Sequence, residues 1–290
     1  MTLQQKQRFT GWLFLAPGVL LIVVLSFVPA IQALLISFKT GTGTNMRWCG
    51  FGNYIRIFQD QVFIQSIKNC FLYLIIQVPI MLVLGMAFAS LLNNPKLRFI
   101  GFFRTAIFLP CATSLVAYAI IFRSLFANDG FVNMVLVKQG ILETGYNFLS
   151  HPASARIVII IALIWRWTGY NMVFYLAGLQ NIENSVYEAA KIDGANMFQT
   201  FFKINAPLLK PTILLTLITS TNGTLQLFDE SVNLTMGGPA NASITMSHYI
   251  FNRAFQGVPN FGYTSAMSFV ILIMVAFLAL VQMKAGDGRD

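Results

Sequence analysis

The side chains able to do chemistry in this chain are concentrated in two polar clusters inside long apolar runs. One is Trp165-Arg-Trp-Thr-Gly-Tyr-Asn171, and the other is Thr219-Ser-Thr-Asn-Gly-Thr224 with Gln226 close behind. Hydroxyls and amides supply uncharged donors and acceptors. A single such group in a membrane helix often does no more than bond a neighbouring helix. Ser220, Thr221, Asn222, Thr224 and Gln226 are packed more densely than that use requires. Aromatic rings at Trp165, Trp167 and Tyr170 stand beside the hydroxyls and amides, Asn171 among them. This mixture suits a sugar, whose C–H faces stack on rings while its hydroxyls bond amides and hydroxyls.

Other chemistries find little support. The sequence contains no GxxxxGK[ST] phosphate loop and no HExxH or GxSxG motif, so hydrolysis by this chain is not expected. Cys49, Cys70 and Cys111 are isolated thiols without CxxC spacing, and His151 and His248 are far apart. No metal site is expected from them. Arg123 and Arg166 are the charges deepest within apolar runs, where a charge costs roughly 2.5–3.5 kcal/mol on insertion scales. Arg123 is close enough to the end of its run to reach the interface. Arg166 is read equally well as a pore-edge residue or as one half of a pair between subunits. Asp229 and Glu230 read as markers of a membrane interface.

The elements that position these clusters are membrane spans. Of the 290 residues, 56% are hydrophobic and 10% are charged, and the mean hydropathy is +0.68. Soluble domains carry roughly 25% charged residues, so an all-α polytopic membrane protein is expected. Six runs near the ~20 residues needed to cross the hydrocarbon core fall at about 11–38, 66–92, 103–126, 156–179, 208–228 and 264–283. They are read as one transmembrane domain over 1–290. The first run is too long for a signal-peptide core and has no small-residue cleavage site, so it is taken as a retained span. Pro17 falls near a helix start, and Pro29 is expected to kink or break that span. Six spans place both termini on one side. Ten Lys/Arg (6, 8, 96, 98, 104, 191, 203, 210, 284 and 289) belong to the side holding the termini, against seven in the longer loops opposite. The denser side is cytoplasmic by the positive-inside rule. The net charge of +9 is thereby read as topology control.

A polar island at 182–207 joins spans four and five on that cytoplasmic side. Ser185 and Glu188 have capping-box spacing for a helix start, and Gly194 can end the helix in a left-handed turn. A second short helix follows, with Met197, Phe198, Phe201, Phe202 and Ile204 near one face, until Pro207 interrupts it. Two short amphipathic helices at a glycine-made angle form a knob for another protein to grip.

The spacing Glu188-Ala189-Ala190, then Gly194, Ile204 and Pro207 resembles the cytoplasmic EAA loop of permease subunits in ABC importers. Ala206 stands where that family usually has Leu. Phe51-Gly-Asn-Tyr54, Phe103-Arg-Thr-Ala-Ile-Phe-Leu-Pro110, Leu179-Gln-Asn-Ile182 and Met236-Gly-Gly-Pro239 extend the likeness to the maltose-permease-like carbohydrate group over nearly the whole chain. The compact first loop lacks the large inserted domain of the maltose-type subunit. The resemblance implies pairing with a second permease of similar fold, two ATPase subunits on the paired EAA loops, and an extracytoplasmic solute-binding protein. ATP and Mg would be bound by the ATPase, with no cofactor in this chain, and the location would be a bacterial or archaeal cytoplasmic membrane. It assigns Tyr187, Glu188, Ala189, Ala190, Asp193 and Gly194, with Ile204 and Pro207, to ATPase docking. It adds Thr168, Gly169, Met172 and Gly223 to the solute path beside Trp165, Ser220 and Thr224. A glycerol-3-phosphate-type permease is the nearest alternative, with Arg166 as the available base. A secondary transporter would need buried carboxylates or paired broken helices.

Overall fold

The computed structural model describes residues 2–42, 45–94 and 97–286. Lys96 and Arg289, counted above for topology, lie outside the described residues. The chain is helical, and its described residues include one two-residue ladder, Lys39–Thr40 against Arg47–Trp48. Four helices are long and apolar enough to cross a membrane, or six if each of two bent helix pairs counts as one span. The chain divides into two compact units, one running to Asp60 with Ile250–Val270, the other covering Gln61–Tyr249 with the residues from Ile271 on.

In the first unit, α1 (Leu3–Ile22), a π-helical turn (Val23–Phe27) and α2 (Val28–Ser37) form a 35-residue apolar span. The break expected at Pro29 does not occur. A helical proline clashes with the carbonyl four residues back, which here is Leu25, inside the wider π turn. The Phe51-Gly-Asn-Tyr54 segment opens α3 (Gly52–Ile57) and ties down the end of α2. Asn53 Nδ2 donates to the Ser37 and Lys39 carbonyls at 2.8 Å each, and Tyr54 Oη meets Ser37 Oγ at 2.8 Å. Tyr263 donates to Asp60 Oδ2 at 2.8 Å, and Arg56 lies 4.4 Å above its ring.

The second unit is organised around α4 (Gln61–Leu92) and α8 (Pro152–Gln180), which run against each other along much of their length. Gly85 makes this closeness possible: a Cβ there would stand 3.2 Å from Asn171 Cβ and from the Met172 nitrogen. The third predicted span is not straight. Its halves α5 (Ile100–Ala112) and α6 (Leu115–Leu125) meet at 99°, across Thr113 and Ser114. The fifth is α12 (Lys210–Leu225), preceded by Met197–Leu208 at 75°. The interruption expected at Pro207 therefore comes two residues later, at Leu209, and Pro207 is tolerated in a short helical turn, Ala206–Leu208. The sixth apolar run becomes α15 (Phe261–Gly286). Two apolar clusters fill the unit. One gathers Tyr118, Phe122, Ile159 and Leu163, the other Met86, Met172, Tyr175 and Leu209.

Candidate solute cavity and docking loop

The two polar clusters meet at one cavity of about 500 Å³ between α4, α8 and α12. From α8 it takes Leu163, Trp167, Tyr170 and Asn171, residues that share a face because they recur at near-helical intervals. From α12 it takes Thr219, Ser220, Gly223 and Thr224, with Gln226 and Leu227 at the helix end. Asn171 is 1% exposed; its Nδ2 donates to the Trp167 carbonyl at 2.9 Å, while its Oδ1 accepts no hydrogen bond. Burying such an acceptor unpaired costs about 1–3 kcal/mol, so Asn171 is poised for a donor.

Five predicted solute-path residues face elsewhere, because a contiguous cluster winds around a helix. Trp165 turns away from the cavity and stacks on Tyr118 at 6.4 Å. Thr168 gives its hydroxyl back to the Ile164 carbonyl at 2.6 Å. Gly169 lies against the backbone of Ile107 in α5, leaving no room for a Cβ. Met172 is fully buried among the α4 and α8 apolar side chains. On α12, Asn222 does not line the cavity; its Oδ1 accepts from Gln226 Nε2, and it shares a second, smaller pocket with Val275, Ala279 and Gln282.

The cavity also holds residues that sequence reading left out. Gln77 and Met81 reach it from α4, and Gln77 Oε1 accepts from Thr224 Oγ1 at 3.2 Å. The signal for Gln77 was a lone amide within an apolar run. Asp229 and Glu230, read above as interface markers, line the cavity from α13 (Asp229–Asn233). Glu230 is 3% exposed, and burial pushes its carboxyl above the usual carboxylate range, with Tyr118 close by. Its neutral form can both donate and accept.

Arg166 has a different task from either one expected. Its guanidinium is 5% exposed and donates to the carbonyls of Pro110, Thr113 and Cys111 at 3.2, 3.0 and 3.3 Å. Those carbonyls belong to the C-terminal end of α5, where the helix runs out of amide donors at the bend to α6; Pro110's also accepts from Thr113. The cation sits 4.9 and 5.5 Å from the Tyr118 and Trp167 ring centres. Arg166 thus clamps the bend.

The 182–207 loop folds as two short helices, α9 (Asn184–Ile192) and α10 (Met197–Thr200), the latter running into a π turn, Phe201–Asn205. Gly194 joins them at φ +73°, the left-handed turn expected. The expected Ser185/Glu188 capping box does not form. Asn184 is already helical, so Ser185 lies inside the helix and donates to Glu183 Oε2 at 3.2 Å. A capping box appears instead at α10, between Asn196 and Gln199. Glu188, Ala189, Asp193 and Gly194 are exposed, Ala190 is half-buried, and Ile192 and Phe198 present 86% and 76% of their surface. Tyr187 turns the other way and donates to Asn205 Oδ1 at 3.0 Å; burial pushes its phenol pKa up. Ile204 and Pro207 are half-buried or exposed beside it.

Both the sequence and the fold of this chain have counterparts among known proteins. Residues 63–284 match the family of binding-protein-dependent transport system inner membrane components. The chain belongs to this family. Among similar permeases, the lactose transport system permease protein LacF of Rhizobium radiobacter is 49% identical, covering 99% of this chain and 97% of its own. The arabinooligosaccharides transport system permease protein AraP of Halalkalibacterium halodurans is 31% identical over 99% and 92%, respectively. The trehalose/maltose transport system permease protein MalF of Thermococcus litoralis is 30% identical over 99% and 97%. In fold, the permease resembles a crystal structure of a bacterial ABC transporter that imports the acidic polysaccharide alginate. The TM-score is 0.84 at 23% identity, covering 97% of this chain and 96% of that one.

Proposed function

We propose that this multi-pass membrane permease forms one half of the pore of an ATP-driven, binding-protein-dependent importer for an uncharged sugar or oligosaccharide. The observation that carries the solute class is the lining of the α4/α8/α12 cavity. Ring faces at Trp167 and Tyr170 stand with the Asn171, Ser220, Thr224 and Gln226 polar groups around a volume typical of small-ligand sites. The relatives named for lactose, arabinooligosaccharides and trehalose/maltose support the same class. A phosphorylated or otherwise anionic solute fits poorly. Among the described residues no Lys or Arg lines the cavity, Asp229 and Glu230 do, and Arg166 outside it donates from both terminal nitrogens to the α5 end.

In this reading a second permease of similar fold completes the pore and an extracytoplasmic binding protein delivers the sugar. Two ATPase subunits, which bind ATP and Mg, grip the exposed surface of α9 and α10 on the cytoplasmic side. The Glu188 loop then converts ATPase closure into alternating access, and this chain hydrolyses nothing. The test is purification of the tagged chain from native membranes in mild detergent, followed by reconstitution and lactose uptake. A co-purifying second permease and ATPase, with ATP-dependent uptake lowered about tenfold by Thr224→Val, is expected. A lone chain, or uptake without ATP, would overturn the reading in favour of a secondary transporter.

A further inference from the structure

Asn205 belongs to none of the motif positions that drew attention to the docking loop, yet its carboxamide joins three elements. It is the last residue of the π turn and is 5% exposed. Its Oδ1 accepts the Tyr187 hydroxyl of α9 at 3.0 Å, and its Nδ2 donates to Ser90 Oγ, in the last turn of α4, at 3.1 Å. Asn is a poor helix former in such a position, and π turns inside helices are frequent at functional sites. From Ser90, α4 runs back to Gln77, roughly 20 Å away at 1.5 Å per residue. Gln77 accepts the Thr224 hydroxyl at the cavity. The α9 surface and the cavity wall are therefore connected through two hydrogen bonds and one helix.

We propose that Asn205 is the positioning residue that ties the docking helix α9 to α4, so that movement of α9 is passed to the cavity wall. This rests on the importer reading above. An Asn that merely glued helices together would change only stability. A coupling Asn changes whether nucleotide alters the cavity.

The test uses the whole complex purified from membranes, with a cysteine placed at Ser220 as a reporter on the cavity. Maleimide labelling at that position is followed by peptide mass spectrometry, with and without ATP and vanadate. With Asn205 intact, nucleotide changes the labelling rate about fivefold or more. In Asn205→Leu the change falls below twofold while ATP hydrolysis continues. Asn205→Asp restores it, because carboxylate oxygens accept from both the Tyr187 and Ser90 hydroxyls. A full nucleotide response in Asn205→Leu, or the same loss in the Asp and Leu variants, overturns the proposal. If the Leu variant does not assemble, Tyr187→Phe decides, since it deletes one hydroxyl and leaves both helices, and an unchanged response then overturns it. An unmodified chain that brings down no ATPase overturns the importer reading, and the coupling role falls with it.

Discussion

Two buried side chains in the second unit carry more than their share of its order. Arg166 donates to three carbonyls at the end of α5, of which that of Pro110 also accepts from Thr113, and a hydrogen bond to a charged group contributes about 1.5–3 kcal/mol. Arg166→Leu strands the Cys111 and Thr113 carbonyls and should destabilise the chain by about 3 kcal/mol. The melting temperature in detergent should fall by several degrees. Arg166→Lys should rescue little, because one ammonium cannot reproduce the planar fork that reaches all three. Equal melting of the Leu variant and the unmodified protein would refute the clamp. His248 is the second case. It is 5% exposed, its Nδ1 meets the fully buried Ser231 hydroxyl at 2.8 Å, and burial lowers its pKa below 6.5. The unfolded chain then binds a proton that the folded chain refuses. Stability is complete above pH 6.5 and is lost as the pH falls below it. His248→Gln removes that titration. Thermal melts at pH 7.5 and 5.5 should show a larger acid-induced drop for the unmodified protein than for the Gln variant, and parallel drops would count against it.

At the scale of elements, the turn between α9 and α10 depends on backbone conformation alone. Gly194 has φ +73° and no atom within 4 Å of where a Cβ would stand. The obstacle to substitution is thus left-handed strain and not space. Asn tolerates that region and β-branched residues do not. ATPase retention on the purified complex should follow Gly194, then Asn, then Ala, then Val, with Val losing the most. A Val variant that keeps its ATPase would show that the turn is dispensable. The left-handed glycine and the long spans were legible because they depend on local spacing: apolar runs of span length, and a glycine after an amphipathic stretch. The bend at Thr113–Ser114 was not, since what stabilises it is Arg166, 53 residues away in the chain. The cavity was half legible for the same reason. Polar clusters announced themselves at 165–171 and 219–226, but which members face inward is decided by helix phase. Thr168, Gly169 and Met172 lost that position to packing against α4 and α5. Gln77 joined through a partner 147 residues distant.

At the scale of the whole molecule, the orientation of the apolar helices in the membrane decides what every site can meet. By the positive-inside rule, the Lys/Arg distribution predicts that α9, α10 and both termini face the cytoplasm. The short helix Phe131–Lys138 and the loop after it then lie outside. The exposed positions Ser185 and Glu143 report on the two sides independently. In intact cells, a membrane-impermeant maleimide should label Glu143→Cys and leave Ser185→Cys unlabelled until the membrane is opened. Both substitutions fall on exposed side chains, where changes usually cost less than about 0.5 kcal/mol, so folding is not the variable. The reverse labelling pattern would put the α9 surface where no ATP is available and the cavity mouth at Asp229 on the wrong side for a delivered sugar. Labelling of both without permeabilisation would mean that the helix between them, α8, does not cross. The expected pattern is the one the proposed importer requires, with Glu143 on the side of the delivered sugar, the docking loop on the side of ATP, and α8 crossing between them.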